Sequence, residues 1–90
     1  MQKQIILKIY GRVQGVFFRA SSMKEAKKLG ISGVASNEDD GTVKIEAEGG
    51  EGELKQFIDW CKEGPEHAKV DRVEIKWTEA TGAFSDFIVK

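Results

Sequence analysis

Residues 42–61, TVKIEAEGGEGELKQFIDWC, hold the clearest strand and the clearest helix of the sequence next to each other. In residues 42–48 apolar and polar residues alternate, which predicts a strand that buries Val43, Ile45 and Ala47 and turns its polar side chains, Glu48 included, to solvent. The second half predicts a helix with one buried stripe, formed by Leu54, Phe57, Ile58 and Cys61. We expect residues 49–52 to be a loop between the two elements, and Gly64-Pro65 to end the helix.

Two more strands are predicted upstream of this unit. Residues 31–37 (ISGVASN) form one, and residues 38–41 (EDDG) predict the turn that joins it to the strand at 42–48. Asp-Gly is a strong signal for a tight turn between two alternating runs. Residues 4–10 (QIILKIY) predict the first strand of the chain, with an apolar face made of Ile5, Leu7 and Ile9.

A first helix is predicted over residues 20–29, because apolar residues recur there every three positions and Gly30 follows as a C-cap. Its start has two interpretations. Ser22 with Glu25 resembles a capping box, which would begin the helix at Met23. The spacing of the apolar residues also allows a start near Arg19.

Downstream, residues 70–77 (VDRVEIKW) predict a strand with Val73, Ile75 and Trp77 inward, and residues 84–90 (FSDFIVK) predict a short final strand. The order is therefore β-α-β-β-α-β plus a short last strand. Two split β-α-β units of this kind predict an α+β fold, a ferredoxin-like sandwich whose antiparallel sheet carries both helices on one face. At this length we expect one domain over residues 1–90.

The composition is that of an ordinary globular chain, with 40% hydrophobic and 32% charged residues. No run reaches the roughly 20 apolar residues of a membrane span, and no signal-peptide pattern follows Met1. For this reason we expect no membrane partner. The single cysteine, Cys61, cannot form an internal disulfide, so we expect a cytoplasmic protein. Residues 1–30 carry a net charge of +6 and residues 31–90 a net charge of −7. A small anion therefore suits the N-terminal third better than nucleic acid does.

Few side chains offer metal or nucleophile chemistry. His67 is interpreted as a surface residue of a loop, and Cys61 as a small core residue. The acidic residues 38–40 crowd into one tight turn and lack the spaced ligands of a calcium loop. Trp60 and Trp77 are interpreted as packing residues. We therefore expect no metal and no cofactor.

A glycine-rich loop at residues 11–19 (GRVQGVFFR) joins the first strand to the first helix. Such a loop can point successive main-chain N–H groups at an anion, reinforced by the helix N-terminus. Gly15 permits a tight turn or a close approach of a ligand, and Arg19 supplies a planar cation that can bind two oxygens. The residues alone leave two interpretations open: a phosphate or sulfate site, or a purely structural connection.

Residues 9–19 (IYGRVQGVFFR) resemble the signature of the acylphosphatase family, with its G-x-V-Q-G-V-x-F-R core complete. Residues 33–43 (GVASNEDDGTV), followed by Gly49, resemble the second motif of that family. The resemblance continues through LKQFIDWCKEGP, AKVDRVEI and FSDFIV, so it covers nearly the whole chain. Three residues depart from the family's pattern, since Val34 and Ser21 stand where aromatic residues are common and Ser36 where Lys or Arg is common.

The resemblance implies an enzyme that hydrolyses small-molecule acyl phosphates to a carboxylate and inorganic phosphate, without metal or cofactor. By motif position it implies that Arg19 binds the phosphoryl group and that Asn37 holds the attacking water. It also implies that loop amides cradle the phosphoryl oxygens, namely those of Gly15, Val16, Phe17, Phe18 and Arg19. A carboxylate is a good leaving group that needs little protonation, because its conjugate acid has a pKa of about 4. This agrees with the lack of a candidate histidine base.

Two other hypotheses stay open on the sequence. The departures at Val34, Ser36 and Ser21 allow an acylphosphatase-like module that binds phosphate without turning a substrate over. An RNA-recognition module has the same order of elements, but it predicts aromatic residues on the third strand and a basic surface. The segment TVKIEAE has no aromatic residue and the net charge is −1. We therefore expect no nucleic-acid partner. We also expect the protein to be a monomer.

Overall fold

The computed structural model describes all 90 residues and contains one five-stranded sheet and two helices. The elements are β1 (Gln2–Arg12), α1 (Phe18–Lys28), β2 (Ser32–Asn37), β3 (Val43–Gly50), α2 (Glu51–Glu63), β4 (Lys69–Glu79) and β5 (Phe87–Val89). The strands lie in the order β4-β1-β3-β2-β5. This confirms the predicted element order and the ferredoxin-like fold. Neither helix is long and apolar enough to cross a membrane.

The core lies between the sheet and the two helices, which also contact each other. The alternation in β1 decides which face is buried, because every second side chain points to the same side. Ile5, Leu7 and Ile9 are fully buried, and so are their partners on β3, which are Ala47, Ile45 and Val43. The stripe predicted for α2 closes the core with Leu54, Phe57, Ile58 and Cys61.

The last strand corrects one part of the predicted fold. The pairs β1–β3, β1–β4 and β2–β3 are antiparallel, but β5 runs parallel to β2, with Gly33 opposite Phe87. The sheet is therefore mixed and not purely antiparallel. The reason is the route of the chain: after β4, at one edge of the sheet, residues 80–86 cross to the opposite edge and deliver β5 beside β2.

Glu48 holds this crossing segment, and it corrects a second expectation. Its carboxylate accepts hydrogen bonds from the Thr81 N–H (2.9 Å), the Thr81 hydroxyl (2.6 Å) and the Gly82 N–H (2.9 Å). The residue is only 5% exposed, although its place in the alternation predicted a solvent-facing side chain. The crossing segment covers this part of the outer face of the sheet, and the strand pattern carries no information about that cover.

Helix α1 begins at Phe18, which confirms the start near Arg19 and makes the capping box at Ser22 wrong. Ser22 lies inside the helix, fully buried, and its hydroxyl donates to the main-chain oxygen of Arg19 at 2.8 Å. The predicted end of the helix before Gly30 is confirmed, with Leu29 as the C-cap and Gly30 as the next residue. Gly30 has a φ of 72°, and the Ile31 N–H reaches back to the Ala26 oxygen at 2.9 Å, which is the pattern of a Schellman motif.

The loop expected at residues 49–52 does not exist. Gly49 and Gly50 are the last residues of β3, and α2 begins directly at Glu51. A side chain on Gly49 would place its Cβ 3.1 Å from Ile31 Cγ1. This glycine therefore lies in close packing with Ile31 and not in a turn, a distinction that a cluster of glycines in a sequence does not reveal.

Strand β4 shows the difference between the face and the burial of a residue. Ile75 pairs with Leu7 and Trp77 pairs with Ile5, so both lie on the predicted, helix-covered side of the sheet. They are nevertheless 39% and 41% exposed, because β4 is an edge strand with a neighbour on one side only. The burial expected for these two residues is therefore wrong. Packing by Trp60 is confirmed, since its ring lies 5.5 Å from that of Phe18.

Candidate active site

A cleft with a volume of about 230 Å³ opens where β1 passes into α1. Seven residues line it: Val13, Gly15, Phe17, Phe18, Arg19, Ala20 and Val89. All of them except Gly15 and Arg19 are hydrophobic. The loop bends through two residues in the left-handed region, Gly15 (φ 74°) and Phe17 (φ 64°). Glycine adopts this conformation without steric cost. Phe17, in contrast, is the only non-glycine residue of the chain with a positive φ.

Phe18 anchors the end of the loop in the core. It is the first residue of α1, its side chain is buried, and its ring packs against that of Trp60. The two neighbours of Phe18 are thereby held at the cleft. Phe17 lies on the outer side of this anchor, and Arg19 lies in the first turn of the helix.

The main-chain N–H groups of this loop are available to an anion. None of those from Gly15 to Arg19 donates to a main-chain oxygen in the turns, loops and caps of the fold, and the first N–H groups of a helix have no partner inside it. The first turn of α1 contains no acidic residue, whereas the first turn of α2 contains Glu51 and Glu53. A phosphate group at the start of α1 would therefore meet a favourable helix dipole and no carboxylate from that turn.

Arg19 is held by the far end of the chain. Its Nη1 donates to the main-chain oxygen of Lys90, and the Lys90 N–H donates to the Ala35 oxygen on β2 at 2.9 Å. Strand β5 thus brings Lys90 to the cleft and fixes the guanidinium beside β2. A guanidinium has five N–H donors in one plane, so this contact orients Arg19 and leaves donors for phosphoryl oxygens.

Asn37 is the last residue of β2, and its side chain is exposed. It lies two residues beyond Ala35, or about 7 Å further along the strand, and so at the same end of β2 as the contact between Arg19 and Lys90. Asn37 does not line the cleft itself. The predicted turn after it is confirmed, since the Glu38 N–H donates to the Thr42 oxygen at 2.8 Å.

One side chain ties the glycine-rich loop to this turn. Nε2 of Gln14 donates to the main-chain oxygen of Glu38 at 2.8 Å and to that of Thr42 at 2.9 Å. Both protons of the amide nitrogen are therefore used. The relative placement of the loop amides and of Asn37 thus depends on Gln14, which the sequence reasoning did not single out.

The turn is held from its other side by Asp40. Its Oδ1 accepts from the Thr42 hydroxyl at 2.6 Å, and its Oδ2 lies 2.9 Å from Lys8 Nζ. The hydrogen bonds from the Thr42 hydroxyl, from Lys8 and from the Thr42 N–H hold the pKa of Asp40 well below its usual range. The hydrogen bond from Lys8 to Asp40 and the charge of that carboxylate raise the pKa of Lys8. Asp40 therefore stays charged and serves the turn.

The side chains offer no evident metal or thiol chemistry. No three residues among His, Cys, Asp and Glu come close enough together to hold a metal ion. His67 is exposed in the segment after α2, and Cys61 is fully buried. Burial, with a smaller effect from the charge of Glu25, raises the pKa of the Cys61 thiol. This thiol is therefore not a nucleophile at neutral pH.

The structure gathers at one cleft four of the residues predicted for phosphate binding, which are Gly15, Phe17, Phe18 and Arg19. Val16 does not line the cleft and its side chain packs against the core, so the role of its main-chain amide stays a prediction. Gln14, Val89 and Lys90 were missed. Gln14 had a local signal, because it lies inside the loop motif. Val89 and Lys90 had none, because they reach the site only through the pairing of β5 with β2.

The chain matches the Acylphosphatase family model over residues 5–89. It is 50% identical over 76 residues to an acylphosphatase of Thermococcus kodakarensis, with 84% of each chain covered. It is 42% identical over 88 residues to an acylphosphatase of Rubrobacter xylanophilus, covering 98% of this chain and 80% of the relative. The crystal structure of acylphosphatase from Bacillus subtilis superposes with a TM-score of 0.94 at 34% identity, with 98% of both chains covered.

Proposed function

The chain belongs to the acylphosphatase family and hydrolyses acyl phosphates, and we propose how its own residues perform that reaction. Arg19 and the main-chain N–H groups from Gly15 to Arg19 bind the phosphoryl group. Asn37 holds the attacking water through its side-chain amide. Gln14 fixes the distance between these two parts of the site.

The observation that carries this proposal is the start of α1. Arg19 lines the cleft there together with the loop residues. The N–H groups of the loop have no main-chain acceptor among the turns, loops and caps of the fold. The first turn of the helix contains no carboxylate. Phosphoryl transfer spreads negative charge over three oxygens in the transition state, so fixed donors around those oxygens lower the barrier. One guanidinium and a row of amides supply such donors without a metal ion.

The reaction needs little further machinery. The water oxygen forms a bond to phosphorus while the bond from phosphorus to the acyl oxygen breaks, and the electron pair of that bond leaves with the carboxylate. The proton of the water passes to solvent or to the phosphate product. Holding the water in line with the leaving group converts an encounter in solution into a positioned attack. An exposed amide at the end of β2 can both donate to and accept from that water.

We further propose that residues 1–90 form one acylphosphatase domain that acts as a monomer in a reducing cytoplasm. Every residue assigned to the site comes from one chain, so no second copy is needed to complete it. The only cysteine, Cys61, is a free and buried thiol, which suits a reducing compartment. Size-exclusion chromatography with light scattering would test the oligomeric state.

The function is tested by hydrolysis of benzoyl phosphate in the presence of a chelator. We expect turnover by the wild type and a loss of about 10²–10³-fold in kcat/KM for Arg19→Ala and for Asn37→Ala. Arg12→Ala is the matched control, because Arg12 is an exposed arginine at the end of β1 that does not line the cleft. It should keep the wild-type rate.

Inhibition by inorganic phosphate separates the two roles. Phosphate should lose affinity for Arg19→Ala, because its charged partner is gone, and should keep its affinity for Asn37→Ala. Phosphate binding by a wild type without turnover would overturn the catalytic assignment. Full activity of folded Asn37→Ala would overturn the role of Asn37 alone.

A further inference from the structure

Phe17 combines two unfavourable features at the edge of the cleft. Its side chain is 76% exposed, and its backbone is the only one outside glycine with a positive φ. A bulky side chain in the left-handed region is strained, and an exposed phenyl ring gains little from burial. Packing within the protein therefore does not account for this side chain.

The surroundings of Phe17 indicate what the ring faces. Five of the seven residues that line the cleft are hydrophobic, and its only charged side chain is that of Arg19. Val89, another exposed apolar residue, belongs to the same lining. The cleft is thus lined by hydrophobic side chains and one positively charged side chain. A ligand that fits this pattern has an anionic group attached to an apolar body.

We infer that the side chains of Phe17 and Val89 form the surface on which the acyl group of the substrate lies. This inference rests on the proposed function, in which Arg19 binds the phosphoryl group of the same molecule. It deepens that function by naming a substrate class: acyl phosphates with an aromatic or branched apolar acyl group. A charged acyl group would lose water against apolar walls without finding an ionic partner, since Arg19 is already used.

The backbone of Phe17 explains why the ring points outward. The left-handed conformation at residue 17 separates the side chains of two successive phenylalanines, since Phe18 is 1% exposed and Phe17 is 76% exposed. Phe18 enters the core and fixes the loop, so Phe17 is held at a defined place although nothing in the protein covers it. A rigid aromatic surface orders few rotatable bonds when a ligand binds, which favours affinity.

The test compares kcat/KM for benzoyl phosphate and acetyl phosphate, whose leaving groups are both carboxylates. We expect the wild type to prefer benzoyl phosphate. Phe17→Ala should lose about five- to tenfold on benzoyl phosphate, mainly through KM, and less than about twofold on acetyl phosphate. Phe17→Leu should fall between, because it keeps part of the apolar surface. Trp77→Ala, which removes an exposed aromatic ring on edge strand β4, is the control and should leave the ratio unchanged.

A further variant separates the effect of losing the aromatic ring from the effect of the strained backbone. Phe17→Gly removes the ring and also relaxes the positive φ, so it should show the same substrate ratio as Phe17→Ala. An unchanged ratio in both variants, or equal losses on both substrates, would overturn the acyl-surface role while the hydrolytic function stood. A wild type without activity on either substrate would overturn the proposed function itself.

Discussion

The side-chain amide of Gln14 donates to the main-chain oxygen of Glu38 at 2.8 Å and so joins the glycine-rich loop to the turn that follows Asn37. Its second proton goes to Thr42 at 2.9 Å in the same turn. The two halves of the site come from segments about 20 residues apart in sequence. Because a misplacement of about 1 Å can cost about 10²-fold in rate, we expect this single side chain to act as a positioning residue in the proposed site.

Gln14→Ala should therefore lower kcat by about tenfold or more while Arg19 still binds the phosphoryl group. The lost hydrogen bonds should lower the free energy of unfolding by about 1–2 kcal/mol. Steady-state kinetics and urea denaturation measure the two effects. Gln56→Ala, an exposed glutamine of α2, is the matched control and should change neither. A drop in stability with unchanged kcat would leave Gln14 only a structural role.

Phe17 and Phe18 should respond to truncation in opposite ways. Phe17→Gly relieves a left-handed backbone worth about 1–2 kcal/mol and removes a ring that is largely exposed. The free energy of unfolding should therefore stay unchanged or rise by up to about 1 kcal/mol, since glycine also has more freedom in the unfolded chain. Phe18→Ala should lose about 3–5 kcal/mol, because it empties part of the core. Thermal and urea denaturation of the two variants provide the comparison, and a clear loss of stability in Phe17→Gly would contradict it.

Glu48 should make the stability of the fold sensitive to acid. Burial by itself raises the pKa of Glu48, but the hydrogen bonds from Thr81 and Gly82 outweigh it and lower the pKa below the ordinary 4.5. The unfolded chain then binds the proton more tightly than the folded one. The contribution of Glu48 is therefore complete above about pH 4.5 and is lost as the pH falls through the lowered pKa of the folded state.

Glu48→Gln is the variant that tests this dependence. At pH 7 it should cost about 1.5–3 kcal/mol, because both carboxylate oxygens accept hydrogen bonds and a glutamine amide has only one acceptor oxygen, so its NH2 group would face the N–H of Thr81 or of Gly82. The difference from the wild type in free energy of unfolding should shrink between pH 5 and pH 3. Glu66→Gln, at an exposed glutamate after α2, should show no such trend. A difference that stays constant down to pH 3 would mean that the charge of Glu48 contributes nothing.

Cys61 should be unreactive in the folded protein. Its thiol is fully buried and its pKa is raised, so little thiolate forms and reagents cannot reach it. Labelling by a disulfide reagent at pH 8 should be slower than that of the chain unfolded in guanidinium by about 10³-fold or more, because it requires opening of the core. Rapid stoichiometric labelling of the native protein would show that α2 opens locally.

Most of the elements could be predicted because their signals are local. The strand at Val43 to Ala47 and the stripe from Leu54 to Cys61 report directly which side chains are buried, and the structure buries them. The end of the helix before Gly30 likewise depends only on its neighbours. The loop around Gly15 and Arg19 could be located for the same reason, since a strand, glycines and a helix start are contiguous in the chain, and its role as an anion site stays a prediction.

The predictions that were wrong or missing concern residues whose surroundings come from segments far away in sequence. Glu48 is buried because residues 80–86 cross over it, and Trp77 is exposed because β4 has a neighbour on one side only. Lys90 reaches Arg19, and Val89 reaches the cleft, only because β5 pairs with β2. The sequence by itself determined the elements, their order and the position of the glycine-rich loop, because the hydrophobic period and the turn residues act over a few positions. Only the tertiary structure decided which edges stay open and which distant side chains complete the site, because those depend on how the strands pair.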